Sequence, residues 1–377
     1  MRRRSFNIGL ATAGFSGLIP QSSRAQTKWP SQTVKIVVPV PAGGTADMVP
    51  RIVADGLKPI WKQPIIIENR PGAAGNIGTA QFAGADADGY TLLATPPAPI
   101  AINHHLYPNL SFDPGQFRAV TIMATSPSVV GVSNKLGVRS LKEFIELAKA
   151  KPGGLNVANQ GVGTTSHLTT AMIESLAGVR FNKVPYSGTA PALNDLVAGH
   201  VEAFFDNLSS SLAQHQAGTI KILAVCSTER AAQLPNVPTV SETALPGFSA
   251  IAWYAIMAPR GTPEAIINKV NKDVVSVIGQ PDVQKRFVDQ AAKPVANSPQ
   301  EAAAFHRVRV PALGGRHQKG RREARGMRVC VGEYRPAGNG RLAWGCQKCF
   351  ATLRGLPRSP AVAGLAPVLF AGSRSLM

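Results

Sequence analysis

Between residues 26 and 305, short runs of β-branched and aliphatic residues alternate with stretches of helical period. This alternation constrains the fold most. Parallel strands need long crossovers, and a helix is the usual one. Strands are expected at 34–38, 65–67, 91–94, 155–158, 183–186, 201–205 and 220–225. Helices are expected at 46–61, 75–85, 141–150, 166–177, 190–198 and 208–217. A further helix opens at Thr262-Pro263-Glu264, with Pro263 at its first position, and runs to 278. Pro50 is read as lying in a first turn, where its missing N–H is tolerated. Ser140 is a good N-cap for a helix whose Leu141, Phe144, Ile145, Leu147 and Ala148 share one face. The expectation is an α/β fold with mainly parallel sheets and no internal repeat.

The formal charge of +19 first suggests a nucleic-acid or membrane-surface protein. Its distribution argues otherwise. Residues 1–25 carry +4, residues 26–305 carry 22 basic and 19 acidic side chains, and residues 306–377 carry 14 basic against two acidic. The body is nearly neutral, which disfavours a nucleic-acid partner. Residues 1–25 read as an export signal: Arg2-Arg3-Arg4, a short apolar stretch from 8 to 19, then Ser23-Arg24-Ala25. Arg3-Arg4-Ser5-Phe6 also fits a twin-arginine pattern, so the general secretory and twin-arginine routes both stay open. Cys226 is the one cysteine of the body, so no disulfide staples it.

In parallel sheets, ligands sit where a strand ends and the next helix begins. Two such turns are rich in Gly and hydroxyls: Pro41-Ala42-Gly43-Gly44-Thr45-Ala46-Asp47 and Asn159-Gln160-Gly161-Val162-Gly163-Thr164-Thr165-Ser166-His167. Glycine lets backbone N–H groups approach a ligand, and a helix start adds unpaired donors and partial positive charge. Together they suit a carboxylate. Each turn alone also reads as a tight loop with an N-cap. Neither is a phosphate loop, since no Gly-Lys-Ser/Thr ending follows.

Several motifs then occur in order. They are Val37-Val38-Pro39-Val40-Pro41-Ala42-Gly43-Gly44-Thr45-Ala46-Asp47, Glu68-Asn69-Arg70-Pro71-Gly72-Ala73-Ala74-Gly75-Asn76-Ile77-Gly78 and Asp88-Gly89-Tyr90-Thr91-Leu92-Leu93. Further on come Gly163-Thr164-Thr165-Ser166-His167-Leu168, Val184-Pro185-Tyr186-Ser187-Gly188-Thr189-Ala190, Phe205-Asp206-Asn207 and Leu234-Pro235-Asn236-Val237-Pro238-Thr239-Val240. From about residue 28 to 305 the chain resembles the extracytoplasmic solute receptors of tripartite tricarboxylate transporters, the Bug family.

The resemblance implies a two-lobed periplasmic-binding-protein fold, a Venus flytrap with a hinge and an interlobe cleft. One lobe would be 26–125 plus 226–305, the other 126–225. It implies a monomer that captures a small carboxylate (a di- or tricarboxylate, an acidic amino acid or an aromatic acid) for the membrane subunits of the transporter. No cofactor or metal is implied. Ala42, Gly43, Gly44, Thr45 and Asp47 would form one jaw. Gly161, Gly163, Thr164, Thr165, Ser166 and His167 would form the other. Tyr186, Gly188, Thr189 and Ala190 would wall the pocket, and Asp206 would face it at a strand end. Thr95-Pro96-Pro97-Ala98-Pro99 departs from the family pattern, being Pro-rich where small hydroxylated residues are usual.

Rival readings remain. The same receptor could serve a signalling partner. A hydrolase built on Ser166 and His167 lacks a GxSxG elbow, and adjacent helical residues point about 100° apart. His104-His105 lacks a third metal ligand at suitable spacing. Asp86 and Asp88 read as turn residues. Glu143, Glu146, Lys142 and Lys149 read as a solvated helix face.

Past Phe305 the texture changes: Arg replaces Lys, and the amphipathic period is lost. Cys330, Cys346 and Cys349 form at most half a zinc knuckle. A one-base shift through the degenerate codons permits Ile at 306, Arg-Arg-Trp at 311–313 and Ile-Lys-Lys-Ala-Gly at 317–321. Residues 306–377 therefore read as an aberrant, frameshifted and disordered tail.

Overall fold

A computed structural model describes residues 29–307 and the backbone of 334–337 and 341–344. The expected export signal and most of the tail lie outside the described residues. In chain order the elements are β1 (Val34–Val38), α1 (Thr45–Trp61), β2 (Ile65–Asn69), α2 (Asn76–Ala83), β3 (Thr91–Thr95), α3 (Asn103–Leu106), β4 (Arg118–Ser133) and α4 (Leu141–Ala150). They continue with β5 (Asn156–Asn159), α5 (Thr165–Ala177), β6 (Asn182–Pro185), α6 (Thr189–Ala198), β7 (Ala203–Asn207), α7 (Leu208–Gln216), β8 (Ile220–Val225) and α8 (Val240–Thr243). The last are β9 (Ile251–Ala258), α9 (Glu264–Ile278), α10 (Pro281–Asp289), β10 (Lys293–Pro294), α11 (Pro299–Arg307), β11 (Tyr334–Ala337) and β12 (Arg341–Trp344).

The strands run in the order β2-β1-β3-β9-β4-β7-β5-β6, with β8 and β10 also pairing to β4. Strand β4 belongs to two sheets. From Arg118 to Pro127 it pairs with β9, and from Ser128 onward with β7 and β8. Around it the pairing is antiparallel, whereas β1 with β2 and β3, and β5 with β6 and β7, are parallel. The expected parallel sheets are thus the two wings of a fold with an antiparallel spine. Strands β4 and β9 gave no sequence signal because nearly every residue is buried, so no two-residue alternation marks them.

The first sheet is covered on both faces. On one side Val49, Val53 and Leu57 of α1, all fully buried, pack with α9 and α10 on Ile36, Leu92 and Tyr254. Their four-residue spacing makes one helical stripe, and burying each side chain is worth about 1.5–3 kcal/mol relative to exposure. On the other side Phe82, Ile100, Phe117, Trp253 and Ala302 form a second core. Phe305 stands edge-on to Trp253 with ring centroids 5.2 Å apart. The second sheet has its own core of Phe144, Phe181, Phe205 and neighbours under α4 and α5.

Residues 226–250, expected in the first lobe, send Cys226, Val240, Phe248 and Ala250 into that second core. Two proline expectations also change. Pro263 caps α9 rather than opening it, and Pro50 lies beyond the first turn of α1, whose N-cap is Gly44. Ser140 caps α4 as read, accepting the Glu143 N–H. In the tail, β11 and β12 form an antiparallel hairpin that the sequence reading did not anticipate.

Candidate functional site

Four strand-to-helix turns converge on the seam between the two sheets: β1–α1 from the first, and β5–α5, β6–α6 and β7–α7 from the second. None of residues 39–47, 159–167, 186–190 and 206–211 is Lys or Arg. The seam thus presents helix starts, with their N–H donors and partial positive charge, rather than cations.

Asp47 organises the first jaw. Its Oδ2 accepts the Gly43 N–H at 3.1 Å, and its Oδ1 accepts from Arg51 Nε at 3.0 Å and Asn69 Nδ2 at 2.9 Å. Burial raises its pKa, but the bonds from Arg51, Asn69 and Gly43 outweigh burial and hold it below the usual carboxylate value. Asp47 therefore fixes the loop with both oxygens engaged. Ala42 and Gly43 are exposed, Gly44 is half-buried, and Thr45 is buried with its hydroxyl 3.3 Å from Ser210 Oγ.

The second jaw is braced from within. Asn159 Oδ1 accepts the Gly161 N–H at 3.0 Å, and the Thr164 hydroxyl donates to Gly161 O at 2.7 Å. Thr164 also caps α5 by accepting the His167 N–H. Thr165, the first residue of α5, is half-buried. Burial, then the nearby Lys183, lowers the His167 pKa, so its imidazole is neutral, and its Nδ1 accepts from the Gly163 N–H at 3.4 Å. The Ser166 hydroxyl is buried without a hydrogen-bond partner.

Tyr186 donates to Asp195 Oδ2 at 2.6 Å; burial, then that carboxylate, pushes its pKa up to about 12. Its hydroxyl therefore serves its own lobe. Asp206, 1% exposed, accepts from Gln160 Nε2 at 2.8 Å and Ser211 Oγ at 3.0 Å. Gln160 Nε2 also donates to Thr189 Oγ1 at 2.6 Å. Desolvation pushes the Asp206 carboxyl up to about 6, against the opposing bonds from Ser210, Asn207 N–H and Ser211.

The jaws touch. A Cβ on Gly44 would lie 2.8 Å from Thr189 Oγ1, one on Gly188 2.8 Å from the Pro41 ring, and one on Gly43 3.8 Å from Ala190 Cβ. The chain also brings in residues that the sequence reading did not place. Tyr107 donates to Val162 O at 3.1 Å across the seam. Asn103 is fully buried, and its amide donates to Ala74 O at 3.1 Å and Asn76 Oδ1 at 2.6 Å. Its Oδ1 is aimed at Gly163, whose added Cβ would meet it at 2.4 Å. Gly163 has φ +91°, and Ala74, across from Gly161, has φ +52°. No local pattern marks Asn103 or Tyr107, since both reach the seam through long-range packing. Gln160 was visible as the neighbour of Gly161.

The remaining motifs are structural. Asp88 Oδ1 accepts the Tyr90 N–H in a turn, Lys149 pairs with Glu146 at 3.0 Å, and the His104 and His105 rings lie tilted against each other with centroids 3.7 Å apart. Among the described residues, no three His, Cys, Asp or Glu side chains cluster as metal ligands, and no helix is long and apolar enough to cross a membrane.

Two α/β lobes joined through a shared strand, with helix starts facing the seam, define a solute-binding protein of the periplasmic type. Residues 49–312 match the model of the tripartite tricarboxylate transporter family receptor, and the chain belongs to that family. Protein BugT of Bordetella pertussis (strain Tohama I) is 33% identical over 300 residues, 79% of this chain and 90% of BugT. The structure of R. palustris Rpa4515 with adipate is 34% identical with a TM-score of 0.73, covering 75% of this chain and 95% of that one. MatC from Rhodopseudomonas palustris with bound malate is 32% identical with a TM-score of 0.71, covering 75% and 97%. The chain is thus a periplasmic solute receptor by family.

Proposed function

We propose that the receptor closes its lobes around a small carboxylate and presents the closed form to the membrane subunits of a tripartite tricarboxylate transporter. The observation that carries this reading is the convergence of four helix starts, without Lys or Arg, on one interlobe seam. Such a seam takes an anion through backbone N–H groups, each charge-assisted bond being worth about 1.5–3 kcal/mol. Adipate and malate, seen with Rpa4515 and MatC respectively, are both dicarboxylates. The first lobe comprises 29–127 and 251–307, the second 128–250, and the hinge lies at Pro127/Ser128 in β4 and at Ala250/Ile251. Gly44, Thr45, Gly163, Thr164, Ser166 and Thr189 contact the ligand, and Asp47 holds the first jaw in shape. The receptor performs no chemistry: the Nδ1 of the neutral His167 is turned to the Gly163 N–H.

A thermal-shift screen of adipate, malate, succinate, glutamate and benzoate tests this. At a hundredfold excess over Kd a bound acid adds about 2.7 kcal/mol, a shift of roughly 5 °C or more. The hit should vanish in Gly44→Pro and Gly163→Pro. A panel in which no acid stabilises the protein would sink the reading.

A further inference from the structure

Two buried acids lie at the jaws, and they differ in one respect. Asp47 is matched by Arg51 at 2.9 Å. Asp206 is matched by no cation. Its partners are Gln160 from the second jaw, Ser211 from α7, and the Ser210 and Asn207 groups at the start of that helix. Among the described residues no Lys, Arg or His side chain bears on it. Its strand neighbour on β4 is Val129, just past the crossing between sheets. From the first lobe Tyr254 faces it. This phenol is fully buried, lies against Thr45, and is pushed up first by burial and also by the Asp206 charge. Its hydroxyl finds no hydrogen-bond partner of ordinary length. Thr45 in turn meets Ser210. Asp206 thus sits at the floor of the seam, among neutral groups contributed by both lobes.

We propose that Asp206 is a proton-loading residue of the ligand site, so that closing over a carboxylate draws one proton from solvent onto its carboxyl. This rests on the carboxylate reading of the seam. A ligand anion entering a water-poor cleft with no cation of its own would otherwise face a second buried anion, and like charges at close range raise a carboxyl's affinity for protons. Even before the ligand arrives, Asp206 titrates near 6. The proton makes the carboxyl a hydrogen-bond donor toward the ligand, and opening the lobes returns it to solvent. Asp206 then discriminates by charge. An anion without a positive charge of its own binds with a proton, and a ligand carrying an ammonium group beside its carboxylate needs none.

The test uses the full chain with malate and adipate, between pH 6.5 and 8.5, above the acids' own titration range. Calorimetric titration in buffers of different ionisation enthalpy should show ~0.5–0.9 proton taken up per acid near pH 7. Kd should rise by up to about tenfold per pH unit. Asp206→Asn should abolish the uptake, flatten the profile and bind about tenfold or more tightly than wild type at pH 8. Ser211→Ala removes a bond that favours the ionised form, so it should move the break in the profile upward; it serves if Asp206→Asn does not fold. Binding without proton uptake, or uptake that persists in Asp206→Asn, overturns this inference and leaves the receptor reading standing. Absence of binding by every acid overturns both.

Discussion

Replacing Gly163 with Ala isolates lobe closure from stability. At φ +91° a side chain is strained in any state of the lobes, at about 1–2 kcal/mol. Closure adds a second cost, because the new methyl would sit 2.4 Å from Asn103 Oδ1 and 3.1 Å from Leu106 Cδ1 on the other lobe. Asn103 cannot swing away freely. It is fully buried, and its amide is held by Ala74 O and Asn76 Oδ1. Giving up those two bonds costs about 1 kcal/mol each, so closure is penalised by about 2 kcal/mol and binding weakens about 30-fold. Gly178→Ala is the control. It has φ +66° at the end of the same helix and nothing within 4 Å, so it carries the backbone cost alone. Titration calorimetry with adipate and thermal unfolding of both variants separate the two costs. The Gly163→Ala/Asn103→Ala double variant should recover most of the lost affinity. Gly163→Ala binding within threefold of wild type, or falling with no rescue by Asn103→Ala, would refute the reasoning.

Asp47→Ala should cost roughly 2–3 kcal/mol in denaturant unfolding, because the Gly43 N–H and Asn69 lose their acceptor. Since the folded pKa of Asp47 is depressed, its stabilising contribution is present above the usual Asp value of about 4 and disappears as pH falls below it, so wild type should lose more than Asp47→Asn in acid. Asp206 has the opposite sign. Its folded value is raised to about 6, so its contribution is complete below about pH 4 and is lost as pH rises through 6, a fall of roughly 3 kcal/mol that Asp206→Asn should erase. Tyr107→Phe removes a bond joining the lobes at their rim and should speed ligand release about three- to fivefold in stopped-flow measurements, with little change in melting temperature.

The wings of the fold were legible in the sequence because the strands there are short and several are followed by an amphipathic helix, as β1 is by α1. The strand at 34–38 and the helix at 141–150 fall where the pattern puts them. The spine was not legible. In β4 and β9 both faces are covered, so no regular alternation of apolar and polar residues marks them, and Pro127 in mid-strand argues against a strand at all. The two Gly-rich jaws could be read because a strand end followed by Gly and a helix start is a local signal. That Gly43 and Asp47 bond each other, or that Asp206 is ringed by Gln160 and Ser211, depends on side-chain packing that no local pattern encodes. Asn103 and Tyr107 meet the second jaw from about 60 residues away in sequence.

The double membership of β4 has a consequence for the order in which the molecule is built. The strands of the second sheet follow one another in the chain, and that sheet needs only the C-terminal half of β4. The first sheet cannot close until β9 arrives, more than a hundred residues after β4, to fill the slot between β3 and β4. A chain emerging from its N-terminus therefore holds β1, β2 and β3 as an unfinished wing while the second lobe forms behind them. The late segment from β9 to α11 is then a keystone: cutting the chain before β9 should leave one folded lobe and one open edge, a template for aggregation, and not a smaller receptor.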